Sequence, residues 1–184
     1  MNLNRTNMKF FITAATCALF TTALHAQDQL RPLKPLPSPP QTPSQAVVSQ
    51  KNLSYEHAMQ LAQITVAVCA HNNQSVAATV VDRSGAVLAV LRADKAGPTS
   101  VAGSERKAYT AASFKTPTSA LMERSLKNPN IAHIPGALPL TGGVPIMVGD
   151  EVIGAVGVGG APDGRIDAQC AEYAINKLKP LLEK

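Results

Sequence analysis

The sequence predicts an α+β domain, an antiparallel β-sheet flanked by helices. Two pairs of short β-branched runs each enclose a tight turn, one at residues 82–85 and one at Gly149-Asp150. That arrangement is the local signal for antiparallel hairpins. Segments of helical period precede, separate and follow those pairs. The resulting order is helix, two strands, two helices, two or three strands, helix, which excludes a doubly wound nucleotide fold.

Residues 1–26 read as a secretory signal peptide. Arg5 and Lys9, with no acid, precede an apolar run from residue 10 to about residue 24, and small residues lie near Ala26. The run is too short for a transmembrane helix. Cys17 within it follows Thr16 and lacks a lipoprotein context. The mature chain is expected to begin near Gln27 and to be periplasmic or secreted. Residues 27–51 hold six prolines with Gln and Ser, the composition of a disordered arm or tether. One domain then runs over 52–184, long enough to bury a single core.

Within that domain Ser54 is a plausible N-cap for a helix reaching about Asn72, with Leu61, Ile64, Thr65 and Val68 as its buried stripe. His57 and His71 both lie on it. Their 14-residue spacing separates them by about 21 Å at 1.5 Å per residue, too far to share one metal ion within a monomer. Strands follow over 76–81 and 86–91. A helix is expected from Ser100 to Phe114, broken by Thr116-Pro117, and a shorter one over 119–126, capped by Thr118 with Glu123 reinforcing its start. A proline-punctuated loop over 128–139 feeds the second hairpin, whose runs span 144–148 and 152–158. A final helix from about Asp167 to Leu182 carries its acid near the start and lysines near the end, matching the helix dipole. The 144–158 hairpin is apolar on both faces and rich in glycine. It offers more surface than one helical layer covers, so it is the expected interface for self-association.

Without the signal peptide 15 basic residues face 12 acidic ones, a charge of about +3 spread along the chain. Nucleic-acid binding calls for clustered cations with interleaved aromatics, which are absent. The glycine cluster fails as a dinucleotide fingerprint because Pro162 stands where the third glycine belongs, and no Walker lysine follows. H-E-x-x-H, C-x-x-C and G-x-S-x-G are also absent. In an exported chain Cys69 and Cys170 form either a disulfide or two buried thiols, and spacing alone leaves both open.

The segment 104–114 carries the chemistry. On a helix Lys107, Thr110, Ala111 and Phe114 share one face, placing a cation, a hydroxyl, a small residue and an aromatic together. Such a strip suits a flat apolar ligand bearing carboxylates. The same pattern also describes an amphipathic helix with Phe114 and Ala111 in the core and Lys107 at its edge.

Ala96-Gly97-Pro98, the run from Ser104 through Glu105-Arg106-Lys107-Ala108-Tyr109-Thr110 to Ala111, Pro117-Thr118-Ser119, Ile134-Pro135-Gly136, Gly142-Gly143-Val144-Pro145, Gly154-Ala155-Val156-Gly157-Val158 and Gly160-Ala161-Pro162 occur in this order. Together they resemble the GlcG/HbpS family of haem-binding proteins, in particular its exported HbpS branch. The resemblance covers nearly all of 53–182. It implies a profilin-like domain, haem as ligand, and homo-oligomers, with octamers in the HbpS branch. Some relatives carry histidine where this chain has Thr99, which excludes an axial histidine there. In the HbpS branch a threonine is associated with the iron, and Thr110 or Thr99 are the positions able to play that part. His133 is the local alternative. The expected haem site is therefore Arg106, Lys107, Thr110 and Phe114 with Thr99 and His133, where Arg106 and Lys107 meet the propionates. Three functions follow. The first is an exported protein that sequesters or senses haem. The second is a haem-degrading enzyme that takes its reductant from outside. The third is an oligomeric accessory module of a sensor or transport system.

Overall fold

A computed structural model describes residues 47–182. The expected signal peptide, residues 27–46 of the expected arm, and the last two residues lie outside the described residues. Residues 47–51 are exposed and form no helix or strand.

The helices begin and end where the sequence supplies local reasons. Helix α1 (Tyr55–His71) starts after Ser54, whose hydroxyl accepts from the His57 N–H. Its core face is Ala58, Leu61, Ala62, Thr65 and Cys69, while Ile64 and Val68 pack at the rim. Strands β1 (Ala77–Asp82) and β2 (Val87–Arg92) form the first hairpin. The Asp82 carboxylate ties its turn by accepting from the Ser84 hydroxyl and the Ser84 and Ala86 amides. Helix α2 (Ser100–Phe114) has the expected bounds; Lys115 adopts a left-handed conformation at φ +52° and Pro117 follows.

Helix α3 (Thr118–Lys127) corrects one expectation. Pro117, not Thr118, precedes it, and Glu123 lies beyond its first turn. The Thr118 hydroxyl instead accepts from the Gly143 N–H at 2.8 Å, which joins α3 to the sheet. The expected loop contains a 3₁₀ turn, Pro129–His133, that was not foreseen. Strands β3 (Gly143–Val148) and β4 (Glu151–Gly159) form the second hairpin around Gly149, at φ +59°, and Asp150. Helix α4 (Gly164–Leu182) starts one turn earlier than expected.

The four strands make one antiparallel sheet in the order β2-β1-β4-β3. Side chains alternate between its faces. Ala78, Val80, Val156, Val158 and Ile146 belong to the core shared with α1 and α4. Val81 and Ala155 pack with Ala108, Ala111 and Ala112 of α2 on the opposite face. There α2 lies directly on the backbone of the strands. A Cβ at Gly157 would stand 2.0 Å from the Ser104 carbonyl oxygen and 2.4 Å from the Ala108 nitrogen, and one at Gly143 would stand 2.4 Å from the Lys107 oxygen. Only glycine admits the helix that close.

Strand β4 of the second hairpin is thus covered on both faces by the chain's own helices, and residues 152–159 are all buried. The apolar surface this hairpin leaves for self-association is confined to edge strand β3, where Met147 is exposed and Val144, Pro145 and Val148 are half-buried. Exposed apolar side chains also lie on the other edge strand, β2, at Val87, Val90 and Leu91. The cysteine alternative closes in favour of the bridge. Cys69 on α1 and Cys170 on α4 are disulfide-bonded with Cα atoms 5.7 Å apart, clamping the first and last helices together.

Candidate functional site

Helix α2 carries polar groups on two flanks. Toward β3 and α4, the Lys107 ammonium donates to the Asp167 carboxylate and to the Val158 carbonyl, both at 2.9 Å. Gly142, at φ +128°, leaves the room; a Cβ there would stand 2.8 Å from Lys107 Nζ. Both side chains of this pair are more than nine-tenths buried. Asp167 also accepts from the Ala161 N–H at 3.2 Å, which ties down the turn between β4 and α4. Burial pushes its carboxyl above the ordinary carboxylate range, outweighing the hydrogen bond and positive charge of Lys107. The pair lines a cleft of about 350 Å³ with Met122, Leu140 and Thr141. At its rim Arg165 grips Asp163, holding that carboxyl down at about 2.

Toward the β1–β2 turn, the Tyr109 ring occupies a slot between two left-handed glycines. A Cβ at Gly85 (φ +86°) would lie 2.7 Å from Tyr109 Cδ2, and one at Gly136 (φ +79°) 3.1 Å from Cε1. Arg106, one turn earlier, donates to the Ala137 carbonyl at 2.8 Å. Thr110 fixes the same loop: its hydroxyl accepts from the Leu138 N–H at 2.8 Å and donates to the Arg106 carbonyl at 2.6 Å. A second cleft, of about 210 Å³, opens between Glu105, Arg106, Tyr109, Pro135 and Gly136.

The expected site residues therefore separate. The strip of Lys107, Thr110 and Ala111 is buried against the sheet and offers no platform to a flat ligand. The Lys107 charge is taken up by Asp167. Thr110 is fully buried, and both hydrogen-bonding roles of its hydroxyl are filled within the chain. Phe114 is half-buried at the far end of α2, while Thr99 is exposed before its first residue, roughly 16 Å along the axis from Thr110. Arg106 and the loop that follows His133 do come together. His133 is exposed at the end of the 3₁₀ turn, and the loop reaches Arg106 four residues later. Sequence reasoning missed Tyr109 and the pairing role of Asp167. One signal for Tyr109 was present, since it lies off the Lys107–Thr110–Phe114 strip and so must face elsewhere than the core.

Haem, the group implied by the resemblance, needs an iron ligand, cations for its propionates and an apolar face. The Tyr109 flank fits that need in kind: a phenol, the Arg106 guanidinium, Pro135 and the exposed Ile134 nearby in the loop. At 210 Å³ the cleft is smaller than ordinary ligand pockets, so it would hold an edge or one face of a porphyrin rather than enclose it.

The HbpS-like family, described as "Haem degrading protein HbpS-like", matches residues 53–176. Protein GlcG of Escherichia coli (strain K12) is 40% identical over 89 residues, 47% of this chain and 66% of GlcG. The match thus spans slightly less than two thirds of that relative. The crystal structure of a double mutant of Streptomyces reticuli HbpS is 35% identical, with a TM-score of 0.71 over 78% of this chain and 99% of that one. The structure of the PduOC:haem complex shares the fold, with a TM-score of 0.62 at 24% identity over 68% of this chain and 94% of its own. Since the matched residues take in, among the described residues, all four strands and every helix but the end of α4, the chain belongs to the HbpS-like family.

Proposed function

We propose that this protein is exported, binds haem and holds or reports it outside the cytoplasm. The observation that carries the reading is family membership across most of the folded unit, residues 53–176. The Cys69–Cys170 bridge supports export, because such bonds persist in oxidising compartments. Haem docks on the Arg106 flank of α2, against Tyr109, Pro135 and Gly136. Arg106 meets a propionate there, and His133 stands in the adjoining 3₁₀ turn. Lys107, Thr110, Phe114 and Thr99 act through the fold or stand apart from it. Haem supplies an iron centre, while the chain supplies orientation, one cation and partial shielding from water. A cleft of this size leaves much of a porphyrin uncovered, which favours assembly. The unpaired edge of β2, with Val87 and Val90 exposed on one face and Leu91 on the other, is the surface for a second copy.

The family's description as haem-degrading favours a second reading, in which the bound haem is broken down with a reductant from outside. Expression with haemin supplied tests both. The first reading expects a chain starting near Gln27, recovered outside the cytoplasm with intact haem and in a form larger than a monomer. Release of iron and open-chain tetrapyrrole on adding reductant identifies the second. A chain retained inside the cell and free of haem contradicts both.

A further inference from the structure

We propose that Tyr109 is the side chain through which this protein coordinates haem iron, as a phenolate. The proposal rests on the haem-binding reading above and names the ligand within that site.

Strong protein ligands for haem iron are His, Met, Cys thiolate and Tyr. Cys69 and Cys170 are consumed in the disulfide. The threonine implied by the resemblance is closed off at Thr110, whose hydroxyl is buried and hydrogen-bonded on both sides. Its neighbour Tyr109 is in the opposite condition. Tyr109 is 39% exposed, it lines the cleft beside Arg106, and its phenol has no hydrogen-bond partner among the described residues. The ring is nonetheless fixed. Gly85 and Gly136 flank its two edges closely: a methyl at Gly85 would collide with the ring, and one at Gly136 would press on it at 3.1 Å. A rigid ring with a free oxygen is organised in advance for ligation, because little conformational freedom remains to be lost on binding. Arg106 stands one helical turn before it and lines the same cleft, together with Glu105. His133 is exposed but is not among the residues lining this cleft.

In the ligation step the phenol oxygen takes the place of water on ferric haemin. The iron–water bond breaks, the iron–phenolate bond forms, and the phenol proton passes to solvent. The oxidation state is unchanged.

The test compares the full mature chain with Tyr109→Phe and His133→Ala, using haemin as the probe. Tyr109→Phe keeps the ring in its slot and removes only an unpaired hydroxyl, so the apo-protein melting temperature should not move. The wild-type ferric complex should show a phenolate-to-iron charge-transfer band. Tyr109→Phe should abolish the band and weaken haemin binding by about tenfold or more, whereas His133→Ala should keep it. Resonance Raman excited in that band reads the same bond in the wild type without any variant, and tyrosinate ring modes are expected. If the wild type binds haemin without those modes, and Tyr109→Phe keeps spectrum and affinity, the Tyr109 assignment is overturned while haem binding stands. If the wild type binds no haemin, the underlying reading fails, and the assignment fails with it.

Discussion

Replacing Lys107 by alanine should damage the fold and leave the proposed haem site intact. The Lys107 and Asp167 side chains are 9% and 2% exposed, so the ion pair is shielded from solvent. Removing one member of such a pair costs about 3–5 kcal/mol, because the other charge is left buried without its counterion. The lower end applies here. Asp167 keeps the Ala161 N–H, and its carboxyl, already above the usual range through burial, can take up a proton and shed its charge. About 3 kcal/mol in a domain of this size lowers the melting temperature by roughly 10 °C. Urea unfolding of Lys107→Ala, Asp167→Ala and the double variant would isolate the pair, with a coupling of about 2 kcal/mol or more expected. Haemin affinity of the folded Lys107→Ala protein, measured well below its melting temperature, should stay within about twofold of wild type. A stability loss under about 1 kcal/mol, or a tenfold affinity loss with the fold intact, would refute the reasoning and return Lys107 to the haem site.

Two glycines should answer alanine with opposite signs. Gly157→Ala drives a methyl into the α2 backbone and should cost about 3 kcal/mol or more. Gly103→Ala meets nothing within 4 Å inside a helix and should add about 0.5–1 kcal/mol, both by urea unfolding. The disulfide spans a separation of 101 residues, so Cys69→Ala/Cys170→Ala should lower stability by about 4 kcal/mol; an unchanged midpoint would mean that α1 and α4 need no clamp. Stability should also carry two opposite pH dependences. Asp163, held at about 2 by Arg165, contributes stability above the ordinary value of 3.8 that is lost as pH falls toward 2. Asp167, held above 3.8, contributes stability below that value that is lost as pH rises through its folded pKa. Asp163→Asn should flatten the first slope and Asp167→Asn the second, in urea midpoints across the acid range.

The fold was largely legible because its boundaries are written in short-range chemistry. Thr116-Pro117 stops α2, Gly149-Asp150 turns the second hairpin, and Ser54 caps α1. The site was less legible. Helical spacing shows that Lys107, Thr110 and Ala111 share a face, but not that this face meets the sheet. That depends on Gly143 and Gly157, 32 or more residues away in sequence, letting α2 settle onto the strands. Asp167 looked like an ordinary dipole acid because its partner lies 60 residues earlier. The Tyr109 slot joins glycines of two separate turns, and no local pattern links Gly85 to Gly136. Strand β4 was expected to need cover from outside because one helical layer was counted where the fold supplies two.

Equilibrium titration of the mature, monodisperse chain with haemin, followed in the Soret region, tests haem binding most directly. The account predicts a saturable, shifted Soret band with a fixed stoichiometry per chain, weakened when Arg106 is replaced by alanine. A linear, non-saturating response identical to that of free haemin would contradict it.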